Sequence, residues 1–261
     1  MCVRNWFLPR IASALYGRIG FKMIQELWPG GPGFKEDNGV FRVGVDSVLL
    51  AHFVNSAKTR KRNRAVDLGC GSGIISVLLA LDNHGLRIDS VEIDPRAAHL
   101  ATENAVLCGV SDRITVYEAD LRNHRDYLRN GEYDISVSNP PYNPHGSGKR
   151  ASSPGLITAR EDEKCSLTDL CSAAAYLTRW GGSFFIVHKP ERLPGVFRAL
   201  NDNGFEPKRI RFVQHKSATP PNLVLIESRR GGKPSLTVET PLILVNDDDS
   251  DSDEVKEIYR I

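Results

Sequence analysis

From residue 64 onward, short apolar runs rich in β-branched residues alternate with stretches whose apolar positions recur at helical spacing. The first kind, at 64–68, 87–93, 113–119, 133–138, 183–188, 209–215 and 222–228, predicts seven strands. The second kind predicts helices at 72–81, 95–108 (opened by Pro95), 125–129, 166–179 and 190–203. Strands alternating with helices make βαβ units, so the expected fold is α/β, a Rossmann-like parallel sheet of seven strands. Ahead of it, residues 34–43 read as a hairpin turning at Asn38-Gly39, followed by a helix over 46–54. Residues 235–245 predict pairing at a sheet edge. The expected organisation is an N-terminal extension (1–33), one domain (34–245) and a tail (246–261), with no internal repeat.

Charge changes this picture at the tail. The chain of 261 residues carries a formal +2, but residues 247–261 hold seven of its 32 acids and only two of its 34 bases. The rest therefore has 32 bases against 25 acids, a net +7. The acidic run from Asp247 to Glu254 reads as disordered. A basic body suits a polyanionic partner, and Lys58-Thr-Arg-Lys-Arg-Asn-Arg64 concentrates five positive charges, though a solvated loop has the same composition. No apolar stretch approaches the roughly 20 residues that span a bilayer. The five cysteines form no C-x-x-C pair and no zinc-like grouping, which suggests reduced thiols in the cytoplasm and no metal. The first 22 residues are basic and lack acids, as in a transit peptide or an upstream extension before Met23.

The chemistry is concentrated where strands end. Asp67-Leu-Gly-Cys-Gly-Ser-Gly73 closes the first strand and opens a helix. Its glycines let the backbone turn sharply and approach a ligand, and the helix N-terminus beyond favours negative charge. The spacing is not the G-x-G-x-x-G of dinucleotide binders. Glu92 lies 19 positions past Gly73 at the end of the second strand, where an acid can hydrogen-bond both hydroxyls of a ribose. Asp120 ends the third strand. One acid there is an ordinary helix cap, whereas three successive strands ending in Asp, Glu and Asp favour an adenosine-containing ligand. Ser138-Asn-Pro-Pro-Tyr-Asn-Pro144 follows the fourth strand, and a rigid turn at that end of an open α/β sheet is where ligands bind.

As a set, Asp-x-Gly-x-Gly-x-Gly, the two further acids and Asn139-Pro-Pro-Tyr142 resemble the class I S-adenosylmethionine-dependent methyltransferases that act on exocyclic or amide nitrogens. The resemblance covers about residues 34–230, and Phe41-Arg-Val-Gly-Val-Asp-Ser-Val-Leu-Leu-Ala-His-Phe53 is similar to the compact bacterial tRNA adenine-N6 methyltransferases that modify adenine 37 of a valine tRNA. It implies S-adenosylmethionine as cofactor and RNA, most simply tRNA, as partner. It implies cofactor contacts at Arg42, Gly44, Asp46, Asp67, Gly69, Gly71, Gly73, Glu92, Asp120 and Asn139, although Asp46 could equally be the cap of an amphipathic helix. Asn139, Pro140, Pro141 and Tyr142 would be the catalytic motif: the Asn139 side-chain oxygen and the Pro140 carbonyl accept the two amino hydrogens, and Tyr142 stacks on the base. Lys149, Arg150 and Arg160 would contact phosphates from a Gly/Ser/Pro-rich loop, and His145, His188 and His215 would be structural or solvent-facing. Two positions depart from the tRNA group's pattern, Asn143 after the motif and Ala159-Arg-Glu-Asp162, both on the acceptor side. The same motif serves guanine N2 in ribosomal RNA, adenine N6 in DNA and the glutamine amide of release factors. A non-catalytic RNA-binding scaffold is the alternative outside enzymes.

Overall fold

The computed structural model describes residues 22–37, 43–57, 63–142 and 165–261. All seven expected strands are present: β3 (Arg64–Leu68), β4 (Arg87–Glu92), β5 (Ile114–Glu118), β6 (Tyr133–Ser138), β7 (Thr178–His188), β8 (Phe205–Gln214) and β9 (Pro221–Arg230). With the two-residue strands β10 (Thr237–Val238) and β11 (Leu242–Ile243), they form a nine-stranded sheet of order β10-β8-β9-β7-β6-β3-β4-β5, β11 also pairing with β8. From β7 to β5 every pairing is parallel, whereas β9 runs antiparallel to both β7 and β8. β10 and β11 realise the pairing expected at the edge.

Both faces of the sheet are covered, and alternate residues of one strand enter different cores. Phe185 and Val187 of β7 join the core built with α1 (Val45–Asn55) and α2 (Ile74–Asp82). Phe184 and Ile186 join the other, with α4 (Leu167–Leu177) and α5 (Leu193–Asp202). A strand buried on both sides is mainly apolar, as at Phe184–Val187, and polar residues buried in such strands are bonded, as Asp67 and Ser90 are through Ser76. α3 (Pro95–Leu107) begins at Asp94, whose side chain caps the Arg96 N–H.

Several boundaries differ from expectation. β7 begins at Thr178 rather than Ser183, because its register against β6 jumps between Thr178 and Ser183. The backbone of this detour requires φ +76° at Gly181, and a Cβ at Gly182 would stand 2.7 Å from Thr178 Cγ2 and 3.0 Å from the Asp134 carbonyl. The short helix expected at 125–129 is a 3-10 turn at Leu121–Asp126, drawn forward by the Asp120 cap on the Arg122 N–H. The strand β2 (Gly33–Asp37) pairs backwards with β1 (Lys22–Glu26), so the hairpin straddles the boundary expected at residue 33. The turn expected at Asn38-Gly39 lies outside the described residues.

The tail is ordered, contrary to the expectation of disorder. Ser252 caps α6 (Asp253–Tyr259), accepting the Val255 N–H at 3.2 Å. Val255 is buried, and Ile258 and Tyr259, at helical spacing from it, pack on the same core as α1 and α2. Arg211 makes a fork with both Glu254 oxygens, at 2.5 and 2.8 Å. Arg260 lies over the Trp28 ring at 3.8 Å and pairs with Asp82. The acidic composition hid three apolar residues and a partner for the charge.

Arg209 ties α1 to the far strands. Its guanidinium donates to Glu227, Glu239, Ser56 and the Phe53 carbonyl and sits 3.9 Å over the Phe53 ring. Glu227 is buried, so loss of its partner leaves a charge without compensation. Arg209→Ala is expected to destabilise the fold by about 3 kcal/mol, read as a lower urea midpoint at pH 7. A midpoint within error of the parent would contradict this role.

Candidate active site

The parallel strands end level with one another, so their carboxyl ends form one edge. Gly69 and Cys70 donate their N–H groups to the Val91 carbonyl at 2.9 and 3.0 Å, folding the glycine turn across the end of β4. Gly69 (φ +78°) and Gly71 (φ +57°) take left-handed conformations, and an added Cβ at either would point into open space. Gly73 (φ +82°) is different: a Cβ there would press on Ala101 Cβ at 3.0 Å, so this glycine lets α2 approach α3. Glu92 is held on both oxygens, accepting the Gly71 N–H and the Asp94 N–H, each at 2.9 Å. Beside it Ile93 leaves 57% of its surface exposed, a large apolar side chain next to a fixed carboxylate.

Asp67 is fully buried beneath this turn. Its Oδ2 accepts from Ser76 Oγ at 2.7 Å, and Ser76 also meets Ser90 Oγ at 2.8 Å, while Oδ1 has no partner. Burial, reinforced by the Glu92 charge and opposed by the Ser76 bonds, raises its pKa to about 7. Asp120 turns its carboxylate to Arg122, accepting the backbone N–H at 2.9 Å and the guanidinium on both oxygens. The Arg122 bonds outweigh its partial burial and hold its pKa below the usual range.

The residues after β6 are tied to the glycine turn and to α1. Ser138 Oγ donates to the Leu68 carbonyl at 2.7 Å, fixing the end of β6 against that of β3. Asn139 Nδ2 donates to Ser47 Oγ at 2.9 Å. The Tyr142 hydroxyl lies 2.5 Å from Asp46 Oδ2 and 2.9 Å from Asn139 Oδ1. Asp46 is not the cap of α1; that position is Gly44, whose carbonyl accepts from Ser47 and Val48. The structure thus brings Gly44, Asp46, Asn139 and Tyr142 together, and Gly69, Gly71 and Glu92 alongside. Pro140 is half-buried and Pro141 exposed at the same turn. Arg42, Lys149, Arg150 and Arg160 lie outside the described residues.

Sequence reasoning did not place Ser47, His188 or Lys189 at this edge. His188 ends β7 and is buried rather than solvent-facing, its ring 5.5 Å from that of Tyr142. Its Nδ1 accepts the Lys189 N–H at 2.8 Å, and burial together with the Arg192 and Lys189 charges pushes its pKa down. Lys189 Nζ stands 5.1 Å from the Tyr142 ring centre. The available signal was a second strand ending in polar residues followed by proline, His188-Lys189-Pro190.

Open space over two glycines, a carboxylate fixed beside them and an exposed apolar side chain are features that suit an adenosine moiety. The fold is that of Rossmann-like class I methyltransferases: a solved structure from Agrobacterium tumefaciens, described as a predicted O-methyltransferase, superposes with TM-score 0.67 over 83% of this chain and 96% of that one, at 20% identity. The chain belongs to the methyltransferase small domain family, whose model matches residues 33–192. It is 32% identical over 234 residues to the tRNA1(Val) (adenine(37)-N6)-methyltransferase of Dickeya chrysanthemi, covering 84% of this chain and 88% of that one. The enzyme of the same name from Tolumonas auensis is 31% identical over 84% and 88%. The protein is an S-adenosylmethionine-dependent methyltransferase.

The buried Asp67 has a consequence for stability. In the unfolded chain this carboxyl releases its proton near 3.8, in the folded one near 7, so between these values the unfolded state binds fewer protons. Stability should therefore fall as pH rises through that window, at up to about 1.4 kcal/mol per pH unit from this group. Asp67→Asn removes this contribution. Urea unfolding at pH 5 and pH 7.5 should show the variant gaining on the parent as pH rises; parallel behaviour would contradict the assignment.

Proposed function

We propose that this enzyme methylates the N6 amino group of an adenine in tRNA, adenine 37 of a valine tRNA. The observation that carries the reading is the placement of the Asn139 amide and the Tyr142 ring at the end of β6, adjoining the Glu92 and Gly71 cradle. The names of the relatives at about 30% identity over most of the chain support the substrate.

An adenine amino nitrogen is a weak nucleophile because its lone pair is delocalised into the ring. A base is of little use to it; two acceptors that hold its hydrogens and free the lone pair are. Asn139 Oδ1 and the Pro140 carbonyl are those acceptors, and the prolines fix the turn that carries them. Tyr142 gives the planar base a stacking surface, worth roughly 1–3 kcal/mol per base. Glu92 would hold the ribose of the cofactor, with the turn at Gly69 and Gly71 receiving the rest of it. S-adenosylmethionine supplies the methyl group on a positively charged sulfur. Positioning then provides most of the rate. The net positive charge outside the tail, and Lys149, Arg150 and Arg160 after the motif, suit phosphate contacts. The working compartment is the cytoplasm.

The test is transfer of label from radioactive S-adenosylmethionine to total tRNA, ribosomal RNA, genomic DNA and a release factor. Label in tRNA that digests to N6-methyladenosine is the expected result. Label confined to the release factor would assign Asn139 and Tyr142 to a glutamine pocket instead. Asn139→Ala should lower kcat by about a hundredfold while the cofactor Kd moves by no more than about threefold, since it removes positioning rather than the cradle. Full turnover by the variant would refute the role.

A further inference from the structure

A phenol has one hydrogen to give, and the Tyr142 hydroxyl stands between two acceptors. Asp46 Oδ2 is at 2.5 Å and Asn139 Oδ1 at 2.9 Å. Bonds to a carboxylate are shorter and about twice as strong as those between neutral groups, so the hydrogen goes to Asp46. Burial and then the Asp46 charge raise the pKa of Tyr142 far above the usual range for a phenol, which keeps that hydrogen on oxygen.

We propose that Asp46 is a positioning residue of the acceptor site: by taking the Tyr142 hydrogen it leaves Asn139 Oδ1 free for the N–H of the methyl acceptor. The inference rests on the reading of Asn139 given above and extends it to α1. Without Asp46, the same hydroxyl would turn its hydrogen onto Asn139 Oδ1 and compete with the substrate for the oxygen it needs.

Three features prepare this arrangement. Ser47, next to Asp46, accepts from Asn139 Nδ2 at 2.9 Å, so the amide is held with its oxygen towards Tyr142. Asp46 Oδ1 accepts the Ser47 N–H at 2.9 Å, anchoring the carboxylate in the first turn of α1, where the helix end favours negative charge. Gly44 leaves the space this requires, because a Cβ at residue 44 would collide with Asp46 Oδ1. One turn of one helix thus sets the orientation of both Asn139 and Tyr142, 93 and 96 positions away from Asp46 in sequence.

The test is a double-mutant cycle on tRNA methylation with Asp46→Ala, Tyr142→Phe and the pair. Removing Asp46 alone should lower kcat about tenfold, the effect of one competing hydrogen bond, with a smaller change in cofactor Kd. Adding Tyr142→Phe removes the competitor, and the double variant should return to the rate of Tyr142→Phe alone. Losses that simply multiply would overturn the proposal. Asp46→Asn, which keeps the shape and a weaker acceptor, should fall between parent and Asp46→Ala and guards against a folding defect. A readout that needs no acceptor is the Asn139 side-chain amide resonance in 15N NMR. It should shift in Asp46→Ala and move back to its Tyr142→Phe position in the double variant; an unmoved resonance would overturn the relay. Absence of label in tRNA with the parent enzyme would refute the tRNA reading, while the resonance still decides the role of Asp46.

Discussion

The parallel pairing of β3 with β4 and β6 is the constraint on which the site depends. It aligns Leu68 with Val91 and Asp67 with Val137, so the strands run out at the same level. Because both faces of the sheet are buried, polar side chains can be presented only past those ends. The glycine turn then reaches sideways to the Val91 carbonyl, and Ser138 reaches back to the Leu68 carbonyl. The glycine turn and the turn after β6 are consequently one hydrogen-bonded unit, and the distance between them is set by strand spacing rather than by loops.

Onto this edge the chain lays α1, and α1 is supported in turn by the tail. α6 packs its Val255, Ile258 and Tyr259 on the core that α1 shares, and Arg209 clamps the last turn of α1 from the other side. Burial of Tyr259 against the core that α1 shares, then the charges of Asp46 and Asp251, raise its pKa above the usual range for a phenol. Interactions at the far end of α1 and in the tail therefore fix the helix whose first residues hold Asn139 and Tyr142.

How much of this could be read beforehand follows from the range of the forces involved. The seven strands, the glycine turn and the acids at strand ends are local patterns, set by burial period and backbone conformation, and were legible. Gly73 was legible as a glycine but not as a packing residue, since Ala101 is 28 positions away. Asp120 was read as one of three acids facing a ligand, although the cap it makes with Arg122 lies only two positions along the chain. The bond between Asp46 and Tyr142 joins residues 96 apart, and only the topology brings them together. His188 and Lys189 were missed for the same reason. The tail failed differently: its charge was legible, but the partners that neutralise it, Arg211 on Glu254 and Lys216 on Asp249, lie outside the acidic run.

The most direct measurement is a crystal structure of the enzyme with S-adenosylhomocysteine and an anticodon stem-loop carrying unmodified adenine 37. The account predicts the adenine N6 within about 3.2 Å of both Asn139 Oδ1 and the Pro140 carbonyl, with the Tyr142 hydroxyl still on Asp46. An adenine whose amino group points away from Asn139, or a Tyr142 hydroxyl that has left Asp46 for Asn139 in that complex, would contradict it.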